Sequence, residues 1–137
     1  MTERIAALAA LGLSVTVLLS AEDRMRAGLW EVITTVNGKP SGAKGGTCYT
    51  PAMVQLANSP AEKLKEASEK SYAARHCAIK DFKMEGNKIS MATVCGARSS
   101  VTTSTYTVDA FETTSTATTE SVSTVTHMKG RRIGECK

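Results

Sequence analysis

The chain opens with an uncharged run, continues in alternating strand-like stretches around one helical region, and ends in strands. From Gly28 the segment "GLWEVITTV" alternates. Trp30, Val32, Thr34 and Val36 fall on one side of an extended strand, and Leu29, Glu31, Ile33 and Thr35 on the other. The preceding residues 22–27 read as a short flexible lead. "NGKPSG" reads as a turn, with glycine for positive φ and proline to stop pairing. "GAKGGTCYT" then reads as a second, weaker strand closing a hairpin.

Thr50-Pro51 opens a brief helical turn or two over "AMVQLA", with a hydroxyl at the N-cap and proline behind it. Ser59-Pro60 repeats the signal with Glu62 placed for a capping box, and predicts a helix from Pro60 to about Ala74. Its apolar stripe (Ala61, Leu64, Ser68, Tyr72) is thin, enough to cover an edge or face of a sheet and too narrow for a central core helix. After His76 strands take over. "CAIKDFKM" and "KISMATVC" flank the hairpin signal "EGNK", and three more strands follow with short links: "SVTTSTYTVD", "FETTSTATTE" and "SVSTVTHMKG". The predicted fold is mainly β with one helix. An antiparallel meander curls into a barrel or half-barrel, and the helix packs on one side or end.

Composition sharpens this picture. More than half of the residues from Ser99 to Thr126 are Ser or Thr, and the chain has one Trp, three Tyr and two Phe, so apolar area is scarce. Thr-x-Thr arrays on a flat face suggest ice binding. Asp109, Phe111, Glu112 and Glu120 interrupt the array, and threonine at solvent-facing strand positions is ordinary. Residues 1–21 read as a signal peptide: a basic start, the uncharged run "IAALAALGLSVTVLLS", and small residues Ser20 and Ala21 at the exit. That run is shorter than the about 20 apolar residues that cross a bilayer, so no transmembrane segment is expected in the mature chain. Residues 22–137 are then one disulfide-stapled β domain, and the expected address is the periplasm. The net charge of +4 is scattered apart from "KGRR", without aromatic interleaving, and nucleic acid is not an expected partner.

All four cysteines follow the uncharged run. An even number in an exported chain reads as two disulfides, and the absence of any C-x-x-C pair argues against zinc. Cys77 and Cys95 sit symmetrically about Gly86, so a hairpin centred there sets them opposite each other. Cys48 is left for Cys136. The alternative, Cys48 with Cys77 and Cys95 with Cys136, would clasp the helix, and parity does not choose between them.

"GLWE", "CYTP", "GNKISMATVC" followed by glycine, and the ending "KGRRIGEC" together resemble the bacterial family called domain of unknown function 3617. The resemblance covers about residues 25–136. The threonine-rich stretch departs from it, since family members carry more glycines at those turns. The family implies an exported protein and supplies no activity or catalytic residue.

No reaction is spelled out. His76 reads as a cation near a helix C-terminus and His127 as the solvent end of a strand. Asp81, Asp109, Glu112 and Glu120 read as solvated sheet residues. No cofactor, metal or catalytic residue is expected. Trp30 is a core residue or a ligand contact at a barrel mouth. Lys129, Arg131 and Arg132 are solvated strand residues or a site for an acidic partner. The expectation is a non-enzymatic module binding a small apolar ligand, an envelope component or a protein. A periplasmic inhibitor of the lysozyme-inhibitor kind is the alternative, and a hydrolase the remote one.

Overall fold

The computed structural model describes residues 23–42 and 45–137. The signal peptide expected over 1–21 lies outside them. The elements are β1 (Gly28–Val36), β2 (Lys39–Ser41), β3 (Gly46–Tyr49), α1 (Pro51–Ala57), α2 (Ala61–Ala73), β4 (Ala78–Glu85), β5 (Lys88–Cys95), β6 (Arg98–Thr107), β7 (Ala110–Thr119) and β8 (Val122–Gly134). Eight strands form one antiparallel sheet in the order β2-β1-β8-β7-β6-β5-β4, with β3 also on β1. The sheet is not closed, so the fold is a half-barrel.

The meander from β4 to β8 follows the strand rhythm of the sequence. Its closing step joins the chain ends: β8 pairs antiparallel with β1, Val32 opposite Gly130 and Val36 opposite Thr126. The last strand therefore runs past "THMKG" to Gly134, because β1 supplies a partner for its whole length. β2 and β3 share the other edge of β1, one beside Thr34–Val36 and the other beside Gly28–Glu31. The weak strand expected over "GAKGGTCYT" is thus two short strands. The turn within "NGKPSG" is only Asn37-Gly38, both at positive φ, as a tight hairpin requires.

Among the described residues there are two helices, not one. Thr50 caps α1, its hydroxyl accepting from the Met53 N–H at 3.4 Å. The capping box at Ser59 does not form. Pro60 is the N-cap of α2 with no side-chain cap, and the Ser59 hydroxyl instead donates to the Gln55 carbonyl at 2.9 Å. Ser59 is drawn back because it closes α1 before it can open α2. The lead before β1 is tied down at residues 24–26. The buried Arg24 donates from Nε to the Ala57 carbonyl at 2.8 Å and from Nη2 to the Ser59 carbonyl, satisfying the end of α1. The Asn58 side chain accepts from the Met25 N–H at 2.9 Å and donates to the Met25 carbonyl at 2.7 Å.

The sheet is coiled with one concave face. Pleating puts Trp30, Val32 and Thr34 of β1, Met128 and Gly130 of β8, Phe111 and Thr113 of β7, Tyr106 and Ser104 of β6, Ile89 and Met91 of β5, and Phe82 of β4 on that face. The core is small. Met25, Trp30, Val54 and Phe111 are its buried cluster, and among the described residues Trp30 alone is fully enclosed. Disulfides join Cys48 to Cys136 and Cys77 to Cys95, with Cα atoms 5.5 and 4.3 Å apart. The first ties β3 to the tail beyond β8, and the second ties the exit of α2 to the end of β5.

Half of the hydroxyl-rich strands face inward. Ser104 and Thr113 bond at 2.8 Å, Thr102 and Ser115 at 2.9 Å, and Thr93 and Ser100 at 2.7 Å, each pair bridging neighbouring strands on the concave face. Paired hydroxyls cost far less to bury than single ones, which lets a serine- and threonine-rich sheet present an inner surface at all.

Candidate functional site

The helices cover the concave face incompletely. Between α1 and the sheet lies a cleft of about 440 Å³, walled by Met25, Tyr49, Met53, Ala57, Tyr106, Phe111, Thr113 and Met128. Each wall has a local cause. Thr50-Pro51 starts α1 directly after β3, so Tyr49 and Met53 stand close together. Tyr106 and Phe111 are cross-strand partners about the Val108-Asp109 turn, their rings 6.1 Å apart, and therefore share a face. Phe111 packs against Trp30 at 5.8 Å and lies over Gly130, where a Cβ would come within 2.1 Å of its ring.

The lining is almost wholly apolar. Apart from the Thr113 hydroxyl, held by Ser104, its polar groups are the phenols of Tyr49 and Tyr106. Burial, and secondarily the neighbouring Tyr106, push the Tyr49 phenol above its ordinary value. It is a neutral donor at any physiological pH. Three methionines, Met25, Met53 and Met128, give the wall adaptable, polarisable surface.

A second, smaller cleft of about 170 Å³ lies under α2, walled by Leu64, Ser68, Phe82, Ile89, Met91, Thr102, Ser104 and Tyr106. Tyr106 belongs to both.

Trp30 is not at the mouth of either. It is 0% exposed, T-shaped against Tyr49 at 6.0 Å, and its Nε1–H donates to the Arg26 carbonyl at 3.0 Å. It is the floor behind the cleft wall, packed against Phe111 and Tyr49. The cations of "KGRR" do not form one patch, because alternate strand residues point to opposite faces. Lys129 and Arg131 lie outside, 3.2 Å from Glu112 and 3.3 Å from Glu31. Arg132 points inward, donating from Nε to the Ala27 carbonyl at 2.8 Å and from Nη2 to Glu135. It packs across Gly28, where a Cβ would come within 2.5 Å of its guanidinium, so the glycine of "GLWE" and the second arginine of "KGRR" fit as one contact.

The histidines are far apart in role. His76 takes φ +58 at the end of α2, its N–H donating to the Ala73 carbonyl at 3.0 Å and that of Cys77 to the Tyr72 carbonyl at 2.9 Å, a Schellman closure. His127 is exposed on the convex face, its Nδ1 3.0 Å from the Thr114 hydroxyl. Asp109 is bound by Arg26 at 2.7 Å, and Asp81, Asp109, Glu112 and Glu120 are all exposed. None of these groups lines either cleft.

The residues that make the cleft, apart from Trp30 behind it, were not singled out by the sequence. A usable signal existed in Tyr106 and Phe111, placed symmetrically about a turn. Met25 and Met53 come from segments whose burial is decided by where α1 lands.

No curated protein and no solved structure matches the chain. A family model described as a protein of unknown function, DUF3617, matches residues 25–136. That span runs from the buried Met25 to Cys136 of the disulfide that pins the tail. The chain belongs to the DUF3617 family.

Proposed function

We propose that this protein is an exported, periplasmic binding module that takes a small apolar ligand into the cleft between α1 and the concave face, and that it acts without catalysis. The observation that carries the reading is the cleft itself. At about 440 Å³ it falls within the usual range for ligand sites, with an apolar wall and a few convergent polar groups. Two disulfides fit an exported protein. The wall carries phenols and one paired hydroxyl as its polar chemistry, which suits holding a ligand and offers no acid–base pair. The inhibitor reading finds less support. Five hairpins close with two-residue turns, leaving no protruding loop at those positions to enter a partner's active site.

A fluorescent apolar probe, N-phenyl-1-naphthylamine, tests the reading on protein purified from the periplasm with its disulfides intact. It is expected to bind in the micromolar range. Ala57→Trp, which fills the cleft, and Met53→Glu, which places a charge at its rim on a side chain already 58% exposed, are each expected to weaken it at least tenfold with little change in melting temperature. Absence of probe binding, or binding by both variants as tight as the wild type's, overturns the proposal.

A further inference from the structure

The inference concerns the ligand's class and rests on the binding reading above. The two clefts lie side by side on one face. Thr113 in the wall of the first is bonded to Ser104 in the wall of the second at 2.8 Å, and Tyr106 is the wall common to both. Together they cross the sheet from Met128 on β8 to Phe82 on β4. The strand order makes this four inter-strand steps, and steps of about 4.8 Å give about 19 Å along the sheet. One leaflet of acyl chains is half of a hydrocarbon core about 30 Å thick, or about 15 Å. Taken end to end past Tyr106, the two clefts therefore have the reach of a long acyl chain.

Their polar chemistry is equally specific. Among the described residues, no lysine, arginine or histidine lines either cleft. A carboxylate drawn into it would lose its water without gaining a counter-charge, a cost of several kcal/mol. The Tyr49 and Tyr106 hydroxyls, by contrast, are donors on the cleft wall, and neither has a hydrogen-bond partner among the described residues. Both side chains wall the same first cleft. Two unspent neutral donors beside a hydrocarbon channel fit a carbonyl oxygen.

We propose that the groove binds a long-chain neutral acyl compound, an ester or amide, with its chain lying across β8 to β4 under α1 and α2 and its carbonyl oxygen accepting from Tyr49 and Tyr106. Free fatty acid, short-chain esters and compact polycyclic molecules are the disfavoured classes.

Displacement of N-phenyl-1-naphthylamine by four competitors reads this out: methyl palmitate, palmitate, methyl octanoate and pyrene. Methyl palmitate is expected to compete at least tenfold better than each of the others. Tyr49→Phe and Tyr106→Phe keep the ring area and remove one donor each. Each is expected to weaken methyl palmitate about fivefold, the worth of one hydrogen bond, and to weaken it more than the probe, which has no carbonyl oxygen. Leu64→Asp, on the half-exposed stripe of α2, is expected to weaken methyl palmitate at least tenfold and spare methyl octanoate, since only the long chain reaches the second cleft. Emission of the single tryptophan, Trp30, checks that each variant is folded, and a misfolded variant leaves the decision to the other two. Equal competition by ester and acid, or by long and short chains, overturns the inference while probe binding keeps the wider reading. Loss of no binding in both phenylalanine variants overturns the role of the phenols and with it the inference. Failure of the wild-type protein to bind the probe removes the wider reading instead.

Discussion

Phe111 and Gly130 show how single residues set this site. An aromatic ring on one strand covers a glycine on the next, so the ring lies flat on the sheet and leaves the space above it open to the cleft. Tyr49 works in the same small region and has a titration consequence. Its folded-state value is raised, first by burial and then by Tyr106. A raised value means the folded protein keeps the phenolic proton longer than the unfolded chain does. The contribution is fully present below the unfolded value of about 10 and is lost as pH rises through the folded one. Denaturation midpoints of the wild type are expected to fall more steeply above about pH 10 than those of Tyr49→Phe. Parallel profiles would show that the phenol is not protected.

At the scale of elements, hairpin turns decide the register. Asn37, Gly38, Gly86 and Gly96 take positive φ with side chains suited to it, but Glu120 takes φ +54 between β7 and β8. A residue with a Cβ is strained there, by about 1 kcal/mol. Glu120→Gly is expected to raise stability by about 0.5–1 kcal/mol in chemical denaturation, with the sheet unchanged, and a loss of stability would contradict the turn geometry. The sheet edges are handled differently. β2 and β3 cover one side of β1, while β4 is left as an outer strand and carries a bulge between Ile79 and Asp81 with Lys80 in it, a device that discourages pairing with another chain. α2 has no fully buried residue, as its thin stripe foretold, and so roofs the second cleft without filling it.

For the whole molecule, the buried apolar cluster of Met25, Trp30, Val54 and Phe111 is small for a chain of this length, and the cross-links are expected to carry a large share of the stability. The Cys48–Cys136 bond closes a separation of 88 residues and Cys77–Cys95 one of 18. In the chain-entropy account, removing the first by paired serine substitutions costs about 4–5 kcal/mol and removing the second about 3 kcal/mol. Urea denaturation of the two double mutants checks the order. If the short loop proves the costlier, native contacts at the end of α2 outweigh loop entropy. The long-range bond also has a functional side, since it holds β3, and with it Tyr49, against the chain end beyond β8.

Alternation and turn chemistry are local, and they determined most of what could be known in advance: the strands from β4 onward, the inward face of β1, the span of α2 and the single antiparallel sheet. Local signals missed three things for one reason. The docking of Arg24 and Met25, the use of Ser59 to close α1, and the split of β2 from β3 all depend on a partner distant in sequence, whether the α1 carbonyls or the edge of β1. The cleft belongs with them. Tyr49, Tyr106, Phe111 and Met128 lie on four different strands, and only the coiling of the sheet and the placement of α1 bring them to face one another, because a concave surface is a property of packed elements and has no signature in any one of them.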